Sequence, residues 1–203
     1  MYCVMCMRVF LCTTVRFCLL MLRVKKLPAI FQGPRTKLEP VTAFQSSRPL
    51  NPINRKQRGP EKCIDGIIDN PKNFWDQNFS LCATNTEKAP WLAIDYGKDA
   101  KVSVAEVVLY NRDDCCHRRT RNVEIWLADK IPTSGAEKFS GGNLIGTFAG
   151  PGMPGERIVI QSQQGWEKKS GRYLIVQISN GNKGIILNLK EVVASGSSCR
   201  GAE

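Results

Sequence analysis

The chain has 203 residues, of which 42% are hydrophobic and 23% charged, a composition typical of one globular domain and unlike that of a polytopic membrane protein or a disordered chain. The formal net charge of +11 is uneven: residues 1–40 hold seven basic residues and one acidic residue (+6), and the remaining 22 and 17 give +5. The body is therefore only modestly basic, and nucleic-acid binding is not expected. A single histidine, His117, excludes sites that need several histidines.

Residues 1–30 form an apolar, basic segment that Arg8, Arg16 and Arg23 interrupt. No apolar run approaches the roughly 20 residues of a membrane span, so stable transmembrane insertion is not expected. The small-residue cleavage site of a secretory signal is also missing. Three interpretations remain open: a degenerate export signal, an amphipathic anchor, and a start that does not belong to the mature protein.

The rest of the chain is predicted to be one β domain between two short flanking segments. Apolar residues cluster or alternate with period two in three runs, and Gly and Pro clusters separate such runs, which is typical of antiparallel strands joined by turns. No helical periodicity of convincing length is present. The prediction is a linker at 31–40, a sandwich domain at 41–196 and a polar tail at 197–203.

The string from Leu109 to Ile125 lies between two predicted strands and holds four arginines, two aspartates and the only histidine. Loops at the end of a β-sandwich commonly carry binding residues, and this much charge cannot be buried without pairing. Guanidinium groups donate hydrogen bonds in a fixed plane, so two arginines braced by Asp114 could hold sugar hydroxyls or the oxygens of an anion. A solvated charged turn is the alternative.

Two adjacent cysteines, Cys115 and Cys116, lie inside this string. A vicinal disulfide between them would close a strained eight-membered ring, stiffen the turn and offer an apolar face beside the arginines. The alternative is two unrelated thiols, or bonds to different partners. The residues alone leave this choice open.

Seven short strings lie between Val41 and Ala194, at residues 44–47, 63–66, 82–85, 90–95, 111–125, 171–173 and 189–192. In these strings the sequence resembles the F-type lectins, or fucolectins, within the discoidin-like group. The resemblance implies an all-β fold, an antiparallel β-sandwich of the jelly-roll type. It also implies a secreted, non-enzymatic protein that binds fucosylated glycans. Since one monosaccharide offers few contacts, a homo-oligomer is expected.

The sugar motif of that family is H-x26-R-x-D-x4-R, and Arg112, Asp114 and Arg119 match its second half, with Cys115 and Cys116 in place. By resemblance, the two arginines bind L-fucose or a related terminal sugar. The aspartate orients them, and the cysteine pair packs against the methyl face of the sugar.

The histidine of the motif is missing. Counting back 27 positions from Arg112 leads to Asn85, next to Thr84. Either side chain can replace one hydrogen bond to the sugar, a contribution of about 0.5–1.5 kcal/mol. The substitution bears on affinity and sugar choice more than on the existence of the site, and His117 is expected at its rim.

Members of the family also share a structural calcium site. By resemblance, Asp65 and Glu191 occupy its two carboxylate positions in this sequence. Hard oxygen ligands suit Ca²⁺ with its 6–8 coordination. A capped turn and an unrelated glutamate are the alternative. Backbone carbonyls of four further residues complete the expected set: Lys62, Ile67, Leu81 and Lys190.

Lys190 stands where many members have cysteine, so Cys82 lacks its usual partner. We predict that Cys82 pairs with Cys63, because closing a loop of about 20 residues contributes roughly 3 kcal/mol. Asn78 begins a glycosylation sequon. Paired cysteines and a sequon favour an oxidising, extracellular compartment.

Two other classes of function were weighed against a lectin. A discoidin-like adhesion module would bind anionic lipid or sulfated polysaccharide, and its affinity would fall steeply between about 50 and 200 mM salt. An enzyme is not expected, because no nucleophile elbow, P-loop or zinc-protease motif occurs.

Overall fold

The computed structural model describes residues 35–49, 58–69, 80–179 and 183–200, with the backbone alone for the last two positions. The predictions on residues 1–30 and on glycosylation at Asn78 lie outside these ranges. Within them, no helix has the length and apolar character that a membrane crossing requires.

Short antiparallel strands dominate the described residues. Three short 3-10 helices accompany them, at Pro60–Cys63, His117–Arg119 and Trp166–Lys168. The strands are β1 Thr36–Lys37, β2 Thr42–Gln45, β3 Cys82–Ala83, β4 Trp91–Asp95, β5 Ala100–Tyr110, β6 Val123–Ala128, β7 Asn143–Phe148, β8 Arg157–Gln161, β9 Tyr173–Ile178, β10 Asn188–Leu189 and β11 Glu191–Arg200.

The strands form two main sheets, with the orders β1-β11-β5-β8 and β2-β4-β9-β6-β7, and β3 pairs with β10 in a small third sheet. Every pairing is antiparallel. Apolar side chains from both main sheets belong to one buried cluster, for example Leu109 and Ile125. The sheets therefore pack face to face, and the predicted all-β sandwich is confirmed.

Strand β5 changes which residues face the core halfway along its length. Its register against β11 shifts where Ser195 is followed by Gly196, and this bulge explains why Val104 and Val107 are both buried although they are three positions apart. A Cβ at Gly196 would overlap the carbonyl oxygen of Ser103, so the close approach of the two strands requires glycine.

Both predicted flanking segments contribute to the sheet. Strand β1 lies inside the predicted linker 31–40 and pairs with β11, and Leu38 is buried in the core. At the other end, β11 pairs with β5 as far as Arg200, inside the predicted polar tail. Strands pair through backbone groups and need no apolar side chains. The polar side chains of the tail therefore gave no sign of the strand.

Three connections meet at one end of the sandwich. Residues 111–122, the arginine loop, join the end of β5 to the start of β6. Strand β11 begins there too, because Glu191 pairs with Tyr110. The helix Pro60–Cys63 contacts β11 and leads into the turn at Asp65. The predicted sugar and calcium residues therefore lie at the same end.

Candidate functional site

The arginine loop is organised around the buried amide of Asn111. The amide Nδ2 donates to the carbonyl oxygens of His117 (3.1 Å) and Met153 (2.9 Å). Its Oδ1 accepts from the Arg112 N–H (3.0 Å) and the Thr120 hydroxyl (2.8 Å). Because both donors and both lone pairs are used, one side chain holds the two ends of the loop and the turn beside it.

A bidentate ion pair braces the first half of the loop. Arg112 donates from Nε to Asp114 Oδ1 (2.8 Å) and from Nη2 to Oδ2 (2.6 Å). Burial opposes charge on both groups, but the paired hydrogen bonds and opposite charges outweigh it, so the pKa of Asp114 is lowered and that of Arg112 raised. Arg112 is 3% exposed, which leaves little of its guanidinium for a ligand.

The second half of the loop turns through left-handed backbone. Cys116 has φ 57° and Asn122 has φ 49°, a region that costs a non-glycine residue energy. Between them lies the helix His117–Arg119, in which the Arg119 N–H donates to the Cys116 carbonyl oxygen at 3.0 Å. Within this helix, Arg118 is exposed and Arg119 is half-buried.

The vicinal disulfide predicted between Cys115 and Cys116 is wrong in this structure, where both are free thiols. Hydrogen bonding around Asn111 and the Arg112–Asp114 pair fix the turn without a strained ring. Burial, followed by a hydrogen bond with the Cys116 thiol, raises the pKa of Cys115 to about 11. The Cys115 thiol is therefore a poor source of thiolate near neutral pH.

A cavity of about 330 Å³ opens beside the loop. This volume falls at the lower end of the range of small-molecule sites. Of the predicted sugar residues, Cys116 and Arg119 line it, whereas Arg112 and Asp114 support the loop behind it. The complete lining is Thr86, Cys116, Arg118, Arg119, Arg121, Gly184, Ile185 and Ile186.

The structure corrects the role of Thr84 and limits that of Asn85. Thr84 is 2% exposed, and its hydroxyl donates to the Asn85 carbonyl oxygen (2.9 Å) and accepts from the Leu187 N–H (3.1 Å). A buried hydroxyl with both roles filled cannot hold a sugar. The Asn85 amide donates to the Arg48 carbonyl oxygen at 2.8 Å, and neither residue lines the cavity.

Two residues near the site, Asn111 and Arg58, were not predicted individually. Asn111 is a polar residue directly after a buried strand, and this position in the sequence could have indicated its role. No sequence signal indicates Arg58. Its pKa is lowered by burial and then by the positive charges of Arg112 and Arg119, so its guanidinium lies near the loop.

The predicted metal residues converge at the turn that follows the first 3-10 helix. Asp65 accepts from the Ile67 N–H at Oδ1 (3.0 Å) and from the Ser80 hydroxyl at Oδ2 (2.6 Å). Glu191 accepts from the Gly66 N–H at 3.2 Å. Two carboxylates from distant parts of the chain therefore face one turn, beside a cavity of about 220 Å³.

Glu191 is a buried carboxylate without an ion-pair partner among the described residues. Burial, with the nearby charge of Asp65, raises its pKa to about 7. A buried carboxylate of this kind fits a hard cation, although the described residues include no cluster of three or more His, Cys, Asp or Glu side chains. The oxygen donors are therefore two carboxylates and neutral groups.

Ser80 brings a further oxygen to this turn, because its hydroxyl also lies 3.4 Å from the Lys62 carbonyl oxygen. The backbone carbonyls of Lys62, Ile67, Leu81 and Lys190 stay predicted donors. The ammonium of Lys62 lies 3.4 Å from Asp65, which it partly neutralises. Leu81 is a fully buried core residue.

Two further features tie this region together. Cys63 and Cys82 form a disulfide, as predicted. The buried ammonium of Lys190 forms an ion pair with Asp113 in the arginine loop at 3.1 Å. Its backbone N–H donates to the Tyr110 carbonyl oxygen at 2.9 Å. Lys190 therefore connects the arginine loop to the strand that carries Glu191.

Comparisons with known proteins agree on the fold. The family model described as NedA-like, galactose-binding domain matches residues 62–142. The serum fucolectin of striped bass, Morone saxatilis, is 25% identical with a TM-score of 0.60, over 78% of this chain and 47% of that one, so the chain spans about half its length. No curated protein matches the chain.

Two smaller solved structures match over most of their own length. A fucose binding module of Streptococcus pneumoniae is 22% identical with a TM-score of 0.57, over 82% of this chain and 99% of that one. The lectin domain of lectinolysin, solved with Lewis B antigen, is 23% identical with a TM-score of 0.54, over 79% and 93%. Together with the family model, they show the galactose-binding-like sandwich fold.

Proposed function

We propose that this domain is a non-enzymatic lectin and that the cavity beside the arginine loop is its sugar site. The observation that carries the proposal is the placement of Arg119 and Cys116 in the wall of that cavity, on a loop held by Asn111 and by the Arg112–Asp114 pair. Structural neighbours named as a fucolectin and as a fucose binding module support L-fucose or a related terminal sugar as the ligand.

The chemistry of the wall suits such a sugar. Arg119 offers planar N–H donors to hydroxyl oxygens. Cys116, Ile185 and Ile186 offer an apolar surface for a methyl group or for the C–H face of the ring. A monosaccharide makes few contacts, so binding of fucosylated glycans at useful strength would rely on several copies of the domain.

A structural calcium ion belongs to the same proposal. Asp65 and Glu191 would supply carboxylate oxygens and Ser80 a hydroxyl oxygen. Backbone carbonyl oxygens would come from Lys62, Ile67, Leu81 and Lys190. Bound Ca²⁺ would neutralise the buried charge of Glu191 and join the turn at Asp65 to the start of β11. An extracellular location fits the Cys63–Cys82 disulfide.

A glycan array tests the sugar site. Arg119→Ala removes a wall residue, and Lys98→Ala removes the same charge from the turn before β5, at the opposite end of the sandwich. We expect fucose-dependent binding by the wild type and by Lys98→Ala, and at least a tenfold loss in Arg119→Ala, because hydrogen bonds to a charged group contribute about 1.5–3 kcal/mol. Fucose-dependent binding that Arg119→Ala leaves unchanged would refute the assignment.

A further inference from the structure

The cavity beside the arginine loop carries more positive charge than a neutral sugar needs. Among the described residues, three arginines line it, Arg118, Arg119 and Arg121, and no carboxylate does. In the part of the chain that the structure describes, none of the three has an acidic group within the 4.0 Å of an ion pair. Their charges are thus not balanced by the wall itself.

Both aspartates of the arginine loop are already engaged. Asp114 is held by both N–H groups of Arg112 that face it, and Asp113 by the ammonium of Lys190. Arg58 lies near enough that, after burial, the charges of Arg112 and Arg119 lower its pKa, while the charge of Asp114 opposes them. Like charges held close together raise the free energy of the empty site, and a bound anion would relieve that repulsion.

The arginines also have the geometry that an anion requires. Guanidinium groups offer parallel N–H donors that match the oxygens of a sulfate or a carboxylate. Arg119 is half-buried, whereas Arg118 and Arg121 are exposed at the mouth of the cavity. A small oxyanion can enter between them while the neutral part of the ligand remains beside Cys116 and Ile185.

We propose that the cavity formed by Arg118, Arg119 and Arg121 binds an oxyanion substituent of a glycan, a sulfate ester or a carboxylate, so that the preferred ligand is an acidic glycan. This inference rests on the proposed sugar site and specifies its ligand class. A glycan fits better than a membrane surface, because a flat surface contacts protruding groups and Arg119 lies recessed in the cavity wall.

The test compares one fucosylated oligosaccharide in three forms: neutral, sulfated and carrying a carboxylated sugar. Isothermal titration is run on the wild type, on the double variant Arg118→Gln/Arg121→Gln, and on the charge-matched control Lys98→Gln/Lys130→Gln. Both control lysines are exposed and lie at the opposite end of the sandwich, before β5 and after β6.

We expect the wild type and the control to bind an acidic form at least about tenfold more tightly than the neutral form, the value of one charge-assisted hydrogen bond. In Arg118→Gln/Arg121→Gln the ratio of the affinities for the acidic and the neutral form should fall to nearly one, whatever the affinity of this variant for the neutral form. The acidic form that is preferred identifies the sulfate or the carboxylate as the source. A preference that weakens with added salt in the wild type would support the inference even if the double variant did not fold.

Four outcomes would overturn the inference. Equal affinity of the wild type for neutral and acidic forms removes the anion subsite and leaves the sugar site intact. An equal loss of preference in the control assigns the effect to net charge. Tighter binding to phosphatidylserine vesicles than to the acidic glycan, abolished in Arg118→Gln/Arg121→Gln, assigns the arginines to a membrane. Binding of none of the glycans would refute the proposed lectin function together with the inference.

Discussion

Two buried charges at the same end of the sandwich are handled in opposite ways. Arg112 is 3% exposed and Glu191 is 4% exposed. Arg112 finds its counter-charge two residues away, in the bidentate pair with Asp114. Glu191 accepts one N–H from Gly66 and has no ion pair in the described residues, and its pKa is raised to about 7.

The difference separates a region whose buried charge is balanced by its own residues from a region whose buried charge is not. The arginine loop satisfies its buried charge with its own residues, so its shape does not depend on a ligand. The turn at Asp65 and Glu191 keeps a buried carboxylate that a cation would stabilise. We therefore expect substitutions in the loop to act with or without calcium, and substitutions at Glu191 to act through calcium.

The largest effect is expected from Asp114→Ala, which leaves the buried guanidinium of Arg112 without its partner. Breaking a buried ion pair in this way costs about 3–5 kcal/mol, measurable as a lower midpoint in urea unfolding. Asp129→Ala is the control, because the Asp129–Lys101 pair is exposed and such pairs contribute less than about 1 kcal/mol. Equal destabilisation by the two variants would contradict a self-contained loop.

A medium effect is expected from calcium. Saturating Ca²⁺ at about 100 times its dissociation constant adds about 2.7 kcal/mol, which raises the melting temperature by several degrees. Glu191→Gln should abolish the rise, which differential scanning calorimetry with Ca²⁺ or chelator would measure. The same rise in both proteins would exclude Glu191 as a ligand.

The pH dependence without calcium has a defined sign. Since the folded-state pKa of Glu191 is raised to about 7, its contribution to stability is greatest below the unfolded value of about 4.3 and is lost as the pH rises through 7. Glu191→Gln should therefore gain stability relative to the wild type above pH 7. A constant difference between the two proteins from pH 5 to pH 8 would show that the carboxylate is not perturbed.

The smallest effect is expected from Lys190→Met, which removes the connection between the two regions. Asp113 is half-exposed, so the lost ion pair contributes at most about 1 kcal/mol, and sugar affinity should fall by no more than roughly fivefold. Calcium affinity should not change, because only the backbone carbonyl of Lys190 is assigned to the metal. Titration of both ligands checks this, and a loss of calcium binding would show that the regions are not separable.

The sequence predicted the features that depend on local pattern. Alternating apolar residues located β6 and β9, and the spacing of Arg112, Asp114 and Arg119 located the loop and its brace. The disulfide between Cys63 and Cys82 followed from the replacement at Lys190. Each of these depends on residue types at fixed separations.

The sequence did not predict contacts between distant segments of the chain. Nothing near Arg58 or Ser80 indicates that the first approaches the arginine loop or that the second donates to Asp65. The disulfide expected at Cys115 and Cys116 was wrong because adjacency in sequence says nothing of what else holds the turn, and here Asn111 does. Backbone pairing likewise concealed the strands at both ends of the domain.

A crystal structure of the domain with a fucosylated oligosaccharide, at a concentration that saturates binding in solution, would test the proposed sugar site. We expect the terminal sugar in the cavity beside the arginine loop, with its hydroxyls within hydrogen-bond distance of Arg119 and its apolar side against Cys116. A sugar bound at another surface, with Arg119 contacting only solvent, would contradict it.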